Sequence, residues 1–328
     1  MQANDMPTGA VEVREIPLQD LSLIRPLFRQ IFGADISTEM LAWKYGEGRG
    51  RSYGAFAQDG TLLAHCGVFY RSALADGQSC RIAQLGDLMA LPGRVGGLSR
   101  FSSPFSLLIR KVLDDLPGQS NPDGLAFGFP SDRAMRLGEH LGLFAAIDRM
   151  WELVFTPLPA SWRADRVVPM AFSDKAFTDT ANHLWQQMAS THGKDLVGVR
   201  DAAYLLQRYS RHPSHQYGCH LVSTRWWDRP LGLLFSRMDG EQCELLDILA
   251  HPSNMERVLQ TARQRMAVWG AVTMKLWLTE RYTKLYCPLA DSHSQLEFRI
   301  MANPYSSAGH PERFAGRWWL TSGDTDYR

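Results

Sequence analysis

Apolar positions along the first half of the chain recur with two different periods, and each change of period marks an element. EVREIP (12–17) alternates and predicts a short strand. In LQDLSLIRPLFRQIFG, Leu21, Ile24, Leu27, Phe28 and Ile31 fall three or four apart, which predicts an amphipathic helix closed by Gly33. Residues 51–92 then alternate β-rich runs with Asp-Gly turns at 59–60 and 76–77, the pattern of an antiparallel meander. From Ser102 the helical period returns. SSPFSLLIRKVLDDL places Phe105, Leu108, Ile109, Val112 and Leu116 on one face, with Ser103 as N-cap and Pro104 at the first helical position. GLAFGFP predicts a short buried strand, and SDRAMRLGEHLGLF a second helix with Ala134, Leu137 and Leu141 inward. The polar residues 1–10 predict a mobile N-terminus, and TPLPASWRADRVVP, with its three prolines, predicts a linker over 158–170. Two domains are expected on either side of it, 11–157 and 171–328.

The second domain repeats the order of the first. LAWKYGEGRGRSYGAF (41–56) lines up with LLQRYSRHPSHQYGCH (205–220) at an offset of 164, so Tyr45 matches Tyr209. LGDLMALP matches LLDILAHP at an offset of 160, pairing Asp87 with Asp247, and RAMRLGEHL matches RYTKLYCPL at an offset of 148. The offset falls by twelve between the last two anchors, so the first copy is longer in the interval that holds PGRVGGLSRFSS.

Composition narrows the class. A chain of 328 residues, 45% hydrophobic and 21% charged, is globular and long enough for two domains. Lys plus Arg number 35 against 34 Asp plus Glu, so no global basic field exists to hold nucleic acid. A small-molecule partner is expected. With charges near its start and no long apolar run, the chain is expected to be cytoplasmic and without membrane insertion. Five scattered cysteines without a CxxC pair predict neither a disulfide framework nor a thiolate zinc site, and the HPSHQYGCH cluster at 212–220 reads as a loop feeding a strand; no metal is expected. Trp226-Trp227 and Trp318-Trp319 fit either a stacking surface or the edge of a core. Lys44, between Trp43 and Tyr45, is expected on an element's rim.

The candidate chemistry lies at 84–105, QLGDLMALPGRVGGLSRFSSPF. A strand that runs through a Gly-rich turn into a helix start offers unpaired backbone N–H groups and the positive end of a helix dipole, a seat for phosphate oxygens. Gly96 and Gly97 admit close approach to the backbone, and Arg94 or Arg100 adds a bidentate charge contact. On its own the turn fits a plain connection equally well. GDLMALP followed by this turn, and then GFPSDRAMRLGEHLGLF, resembles the GNAT superfamily of acyl-CoA-dependent N-acyltransferases: Ser131, Ala134, Leu137, Gly142 and Leu143 stand at the spacing of that family's Asn-x-x-Ala-x-x-Leu-Tyr-x-x-x-Gly-Phe helix. The resemblance covers most of 11–157, and the repeat extends it over the rest.

The resemblance implies an α+β fold of two GNAT-like domains, each a mixed, mainly antiparallel sheet flanked by helices, with the second degenerate. It implies transfer of an acyl group, acetyl first among them, from acetyl-CoA or another acyl-CoA to a primary amine of a small molecule. The strand backbone at Met89 and Ala90, with Leu91 after them, corresponds to the family's pantetheine-binding edge. Turn N–H groups from Arg94, Val95, Gly96, Gly97 and Leu98, with Ser102 and Ser103, would hold the pyrophosphate, and Ser131 takes the place of the family's Asn. Asp87 is the candidate general base, and a hydrogen-bonded structural acid fits the same position. The family's Tyr, a general acid for the departing thiolate, is replaced by Gly138, leaving the neighbours Glu139 and His140 as substitutes. Two alternatives stay open: an aminoacyl-tRNA-dependent transferase of this fold, and a non-catalytic CoA-binding or scaffold protein.

Overall fold

A computed structural model describes residues 11–92, 102–116, 125–162, 164–303 and 311–325. The chain divides into two compact units, one formed by the described parts of Met1–Tyr70, Ile82–Ala145 and Ala302–His310, the other by those of Arg71–Arg81, Ala146–Met301 and Pro311–Arg328.

The first unit begins with β1 (Glu12–Ile16) and a 3₁₀ turn at Leu18–Leu23 that continues as α1 (Ile24–Phe32). Pro26 has no N–H to donate backwards, so it fits only in the first turn of an α-helix, and the chain starts α1 there. Gly33 closes α1 in the left-handed region at φ 69°. After α2 (Thr38–Tyr45) come β2 (Gly50–Phe56), β3 (Leu62–Ala75) and β4 (Gln78–Ala90), in sheet order β1-β2-β3-β4. α3 (Pro104–Asp115) leads to β5 (Ala126–Gly128), parallel to β4, and α4 (Asp132–His140) follows. The face expected for α3 is the one buried: Phe105, Leu108, Ile109, Val112 and Leu116. In α4 the stripe is rotated by one position. Met135, Gly138 and Leu141 are buried, while Ala134 and Leu137 are half-buried. The reason is Phe144, whose ring packs 2.0 Å from where a Cβ on Gly138 would lie and so draws that position inward.

The second unit runs β6 (Ala145–Phe155, in this unit from Ala146), β7 (Arg166–Pro169), α5 (Lys175–Ala189), β8 (Leu196–Gly198), α6 (Ala202–Leu205, continued by a π-turn to Ser210), β9 (Gly218–Ser223), β10 (Pro230–Asp239), β11 (Gln242–Ala250), α7 (Pro252–Arg265), β12 (Thr273–Thr279), α8 (Glu280–Tyr286), β13 (Ser292–Ala302) and β14 (Trp318–Trp319). Its strands are ordered β6-β12-β11-β10-β9-β7. The apolar cluster centred on Leu233, Phe235, Leu246, Val258 and Leu276 forms its core.

Two expected boundaries shift. Residues 158–170 contain β7, which pairs antiparallel with β9 from Arg166↔Ser223 to Pro169↔His220. Val167 and Val168 supply strand formers, and the terminal Pro169 is tolerated because β7 is the last strand of its sheet. β6, expected at the end of the first domain, belongs to the second unit, where it pairs with β12 from Phe155↔Met274 to Met150↔Thr279. In the other direction the chain re-enters the first unit at Ala302. There the Asn303 N–H donates to Ala126 O of β5 (3.1 Å), and Asn303 Oδ1 accepts from Ala126 N (2.8 Å). Among the described residues no helix is long and apolar enough to cross a membrane.

Candidate functional site

The site is built on the second half of β4. The parallel ladder with β5 runs Ala83↔Ala126, Gln84↔Phe127 and Leu85↔Gly128, and stops. β5 ends there and turns through Pro130 into α4, while β4 continues to Ala90. On its other edge β4 keeps its partner, since Leu91 N donates to Leu63 O of β3. Beyond Leu85↔Gly128 the described β4–β5 ladder ends, and β4 runs on past the end of β5 to Ala90.

Asp87 sits at the start of that stretch in the left-handed region, φ 47°. Asp is one of the few side chains that tolerate this conformation, and buried polar contacts hold it there. The Lys44 ammonium donates to Oδ1 at 2.5 Å and the Tyr45 hydroxyl to Oδ2 at 2.7 Å. Both donors come from the last turn of α2, and the Lys44 side chain is only 8% exposed. The backbone carbonyl of Asp87 accepts from His65 Nδ1 at 2.8 Å, which fixes the proton on that nitrogen; Nε2 then accepts from Ser52 Oγ at 2.9 Å. Burial lowers the His65 pKa and keeps the ring neutral. Burial alone would push the Asp87 carboxyl up, but the charge and hydrogen bond of Lys44, with help from Tyr45, outweigh it and hold the carboxyl below its ordinary range.

These contacts bear on the expected base. A general base works best with a free lone pair and a pKa near the working pH. Asp87 has each oxygen engaged by a donor and a weakened hold on protons, which suits it to anchoring the backbone. Lys44, expected on a rim, is instead a buried partner of Asp87, and Tyr45, His65 and Ser52 complete the cluster. Only the Tyr45–Tyr209 match in the repeat pointed towards any of them.

Of the other expected residues, Met89 is buried and Ala90 and Leu91 half-buried at the end of β4. Arg94, Val95, Gly96, Gly97 and Leu98 lie outside the described residues. Ser103 caps α3, accepting from Ser106 N at 3.2 Å, with the exposed Ser102 just before it. Ser131 caps α4 in the same way, accepting from Ala134 N at 3.3 Å. Glu139 and His140 are exposed in the last turn of α4. His212 of the histidine-rich run accepts from Ser214 N and His215 N, the work of a turn cap.

The second unit follows the same local plan to a different end. The β11–β12 ladder stops at Leu245↔Leu276, where Leu245 is the residue that the sequence alignment sets against Leu85, and the β10–β11 register shifts just before Asp247. Asp247 pairs with Arg200 (3.0 Å) and lies 3.5 Å from the Tyr209 hydroxyl. Beyond the ladder the chain's own residues 318–325 fill the edge. Trp318 O accepts from Thr279 Oγ1, Arg200 reaches Asp324 (2.6 Å), and Arg208 Nε donates to Gly323 O (2.9 Å). A Cβ on Gly323 would stand 2.8 Å from Leu246 O. The segment is seated directly on β11.

Neither a family model nor a curated protein sequence matches the chain. Solved structures do match. A conserved protein of unknown function from Enterococcus faecalis, described as a probable N-acyltransferase, superposes with a TM-score of 0.70 at 13% identity, over 89% of this chain and 72% of that one. A GCN5-related N-acetyltransferase from Kribbella flavida gives 0.64 at 14% identity, over 92% and 73%. The N-myristoyltransferase of Saccharomyces cerevisiae, solved with myristoyl-CoA bound, gives 0.57 at 10% identity, over 97% and 87%. The chain has the GNAT fold expected from its sequence.

Proposed function

We propose that this GNAT-fold chain is an acyl-CoA-dependent N-acyltransferase made of two copies of one domain, and that it transfers an acetyl group to a primary amine of a small molecule at the β4 edge of its first unit. The observation that carries this reading is the end of the β4–β5 ladder at Leu85↔Gly128, past which β4 continues to Ala90 with Asp87 in the left-handed region. An extended pantetheine arm matches such an edge, and α3, which starts shortly afterwards with Ser103 as its cap, offers a helix N-terminus on the pyrophosphate side. Fold likeness to an enzyme solved with myristoyl-CoA supports an acyl-CoA co-substrate.

When bound, the thioester supplies an electrophilic carbonyl and a thiolate leaving group. The chain's part is to orient that carbonyl on the β4 edge, where backbone N–H groups at Met89 and Ala90 stabilise negative charge on its oxygen. The neutral amine forms the C–N bond, the C–S bond breaks, and the amine proton leaves. In this reading the proton departs through water, because Lys44 and Tyr45 occupy Asp87, which acts as a positioning residue. Gly138 under Phe144 leaves no side chain at the place of the family's Tyr. The thiolate departs unassisted there, as a group of far lower basicity than an amine.

Calorimetric titration with acetyl-CoA and CoA tests the binding, and silence at high micromolar ligand overturns the proposal. A thiol-release screen of several acyl-CoAs against an amine library tests the transfer. Tight binding without turnover over that panel would favour the non-catalytic alternative, which the engaged Asp87 and the missing Tyr support. For Asp87→Asn we expect lower turnover with an unchanged acidic limb of the pH–rate profile; disappearance of that limb would restore Asp87 as the base.

A further inference from the structure

Trp226 and Trp227, left open between two roles by the sequence, are 71% and 84% exposed, an unusual state for two adjacent tryptophans. They sit at the tip of the β9–β10 hairpin. The turn is closed at its base by Thr224 N donating to Arg229 O (2.9 Å) and Arg229 N donating to Thr224 Oγ1 (3.0 Å), so residues 225–228 project beyond the last rung, Pro230↔Ser223. Asp228 takes a left-handed φ of 49° within this turn. Its carboxylate is paired with Arg166 of the neighbouring edge strand β7 at 2.6 Å, which neutralises the one acid of the tip. Arg225 stacks its guanidinium 5.1 Å from the Trp226 ring and Arg229 is exposed. The tip therefore presents two indoles and an excess of two positive charges on a convex surface.

We propose that this hairpin tip is a contact site for an anionic lipid bilayer surface. Indole rings favour the headgroup level of a bilayer, and arginines beside them are drawn to anionic lipids. A convex tip has no pocket walls to grip a sugar or a partner's side chain, whereas a flat bilayer accepts it as it stands. The contact is peripheral, two rings deep, and independent of the chemistry at β4.

The test is co-sedimentation of the full chain with vesicles of phosphatidylcholine alone and of phosphatidylcholine mixed with phosphatidylglycerol in equal parts, at low and at physiological salt. Binding is expected to the mixed vesicles, weakened by salt, with brominated lipid quenching part of the tryptophan emission. Trp226→Ala/Trp227→Ala and Arg225→Glu/Arg229→Glu should each reduce partitioning by roughly tenfold or more, with thermal unfolding unchanged because the tip is outside the core. Failure of the unaltered chain to sediment with mixed vesicles at low salt overturns the proposal, as does binding that survives both double variants. Self-association in sedimentation velocity that the Trp226→Ala/Trp227→Ala change abolishes would assign the tip to a second copy of the chain instead.

Discussion

Lys44 and Asp87 illustrate what a buried pair does to its surroundings. Removing one partner of such a pair leaves a charge without compensation and costs about 3–5 kcal/mol, whereas replacing both is much milder. Lys44→Met should therefore destabilise the chain by an amount in that range in urea unfolding at neutral pH, and Lys44→Met/Asp87→Asn should recover much of it. The carboxyl's pKa is depressed in the folded state, so its contribution is present above the unfolded value near 3.9 and is lost as pH falls through the folded one. The gap between Lys44→Met and the unaltered chain should accordingly close only at strongly acidic pH. Asp148 runs the other way. Burial, with the nearby Glu280 carboxylate adding to it and backbone N–H groups opposing, pushes its carboxyl up to about 6. A proton is then held more tightly in the folded state, so folding loses stability as pH rises from about 4 to 6 and carries the penalty above that range. Asp148→Asn should raise stability at pH 8 by on the order of 1–2 kcal/mol, with the gain gone at pH 4 in the same thermal scans.

At the scale of elements, the sequence was most readable where local chemistry and period agree. α3 has a serine cap, a proline at its first position and five apolar residues at helical spacing, and each of those signals is local; the helix formed where they placed it. β7 is hidden in the sequence because three prolines around it resemble a linker, and what makes it a strand is a partner, β9, some fifty residues onward. Lys44 was unreadable for the same reason: its acid lies 43 residues away in another element. α4 shows how one tertiary contact overrides a periodic pattern. The Phe144 ring, 3% exposed, occupies the space a Cβ on Gly138 would need, so Gly138→Ala should cost about 1–3 kcal/mol through overpacking. Denaturant unfolding would register this, and Phe144→Leu in the same background should return part of the loss. A Gly138→Ala variant as stable as the parent would mean that the ring moves aside freely.

For the whole molecule, similar local features lead to unequal outcomes in the two units. Both ladders, β4–β5 and β11–β12, stop two residues before an aspartate, at Leu85 and Leu245, and each aspartate has a tyrosine and a cation nearby. What differs is the occupant beyond the ladder. In the second unit it is the chain itself: Asp324 is clasped by Arg200 and Arg71, and the Gly323 backbone lies against β11 too closely for a side chain. A pantetheine arm cannot share that edge without expelling residues 318–325, whose two tryptophans are fully buried. On the proposed function the chain should therefore bind one acyl-CoA, at the first unit. Calorimetry should return a stoichiometry of about one per chain, with the ligand on the part of β4 that continues past the end of β5. Arg200→Met, which strips Asp247 and Asp324 of their shared cation, should lower thermal stability by several degrees while leaving acyl-CoA affinity unchanged. A stoichiometry of two, or an affinity that falls with Arg200, would place a ligand in the second unit as well.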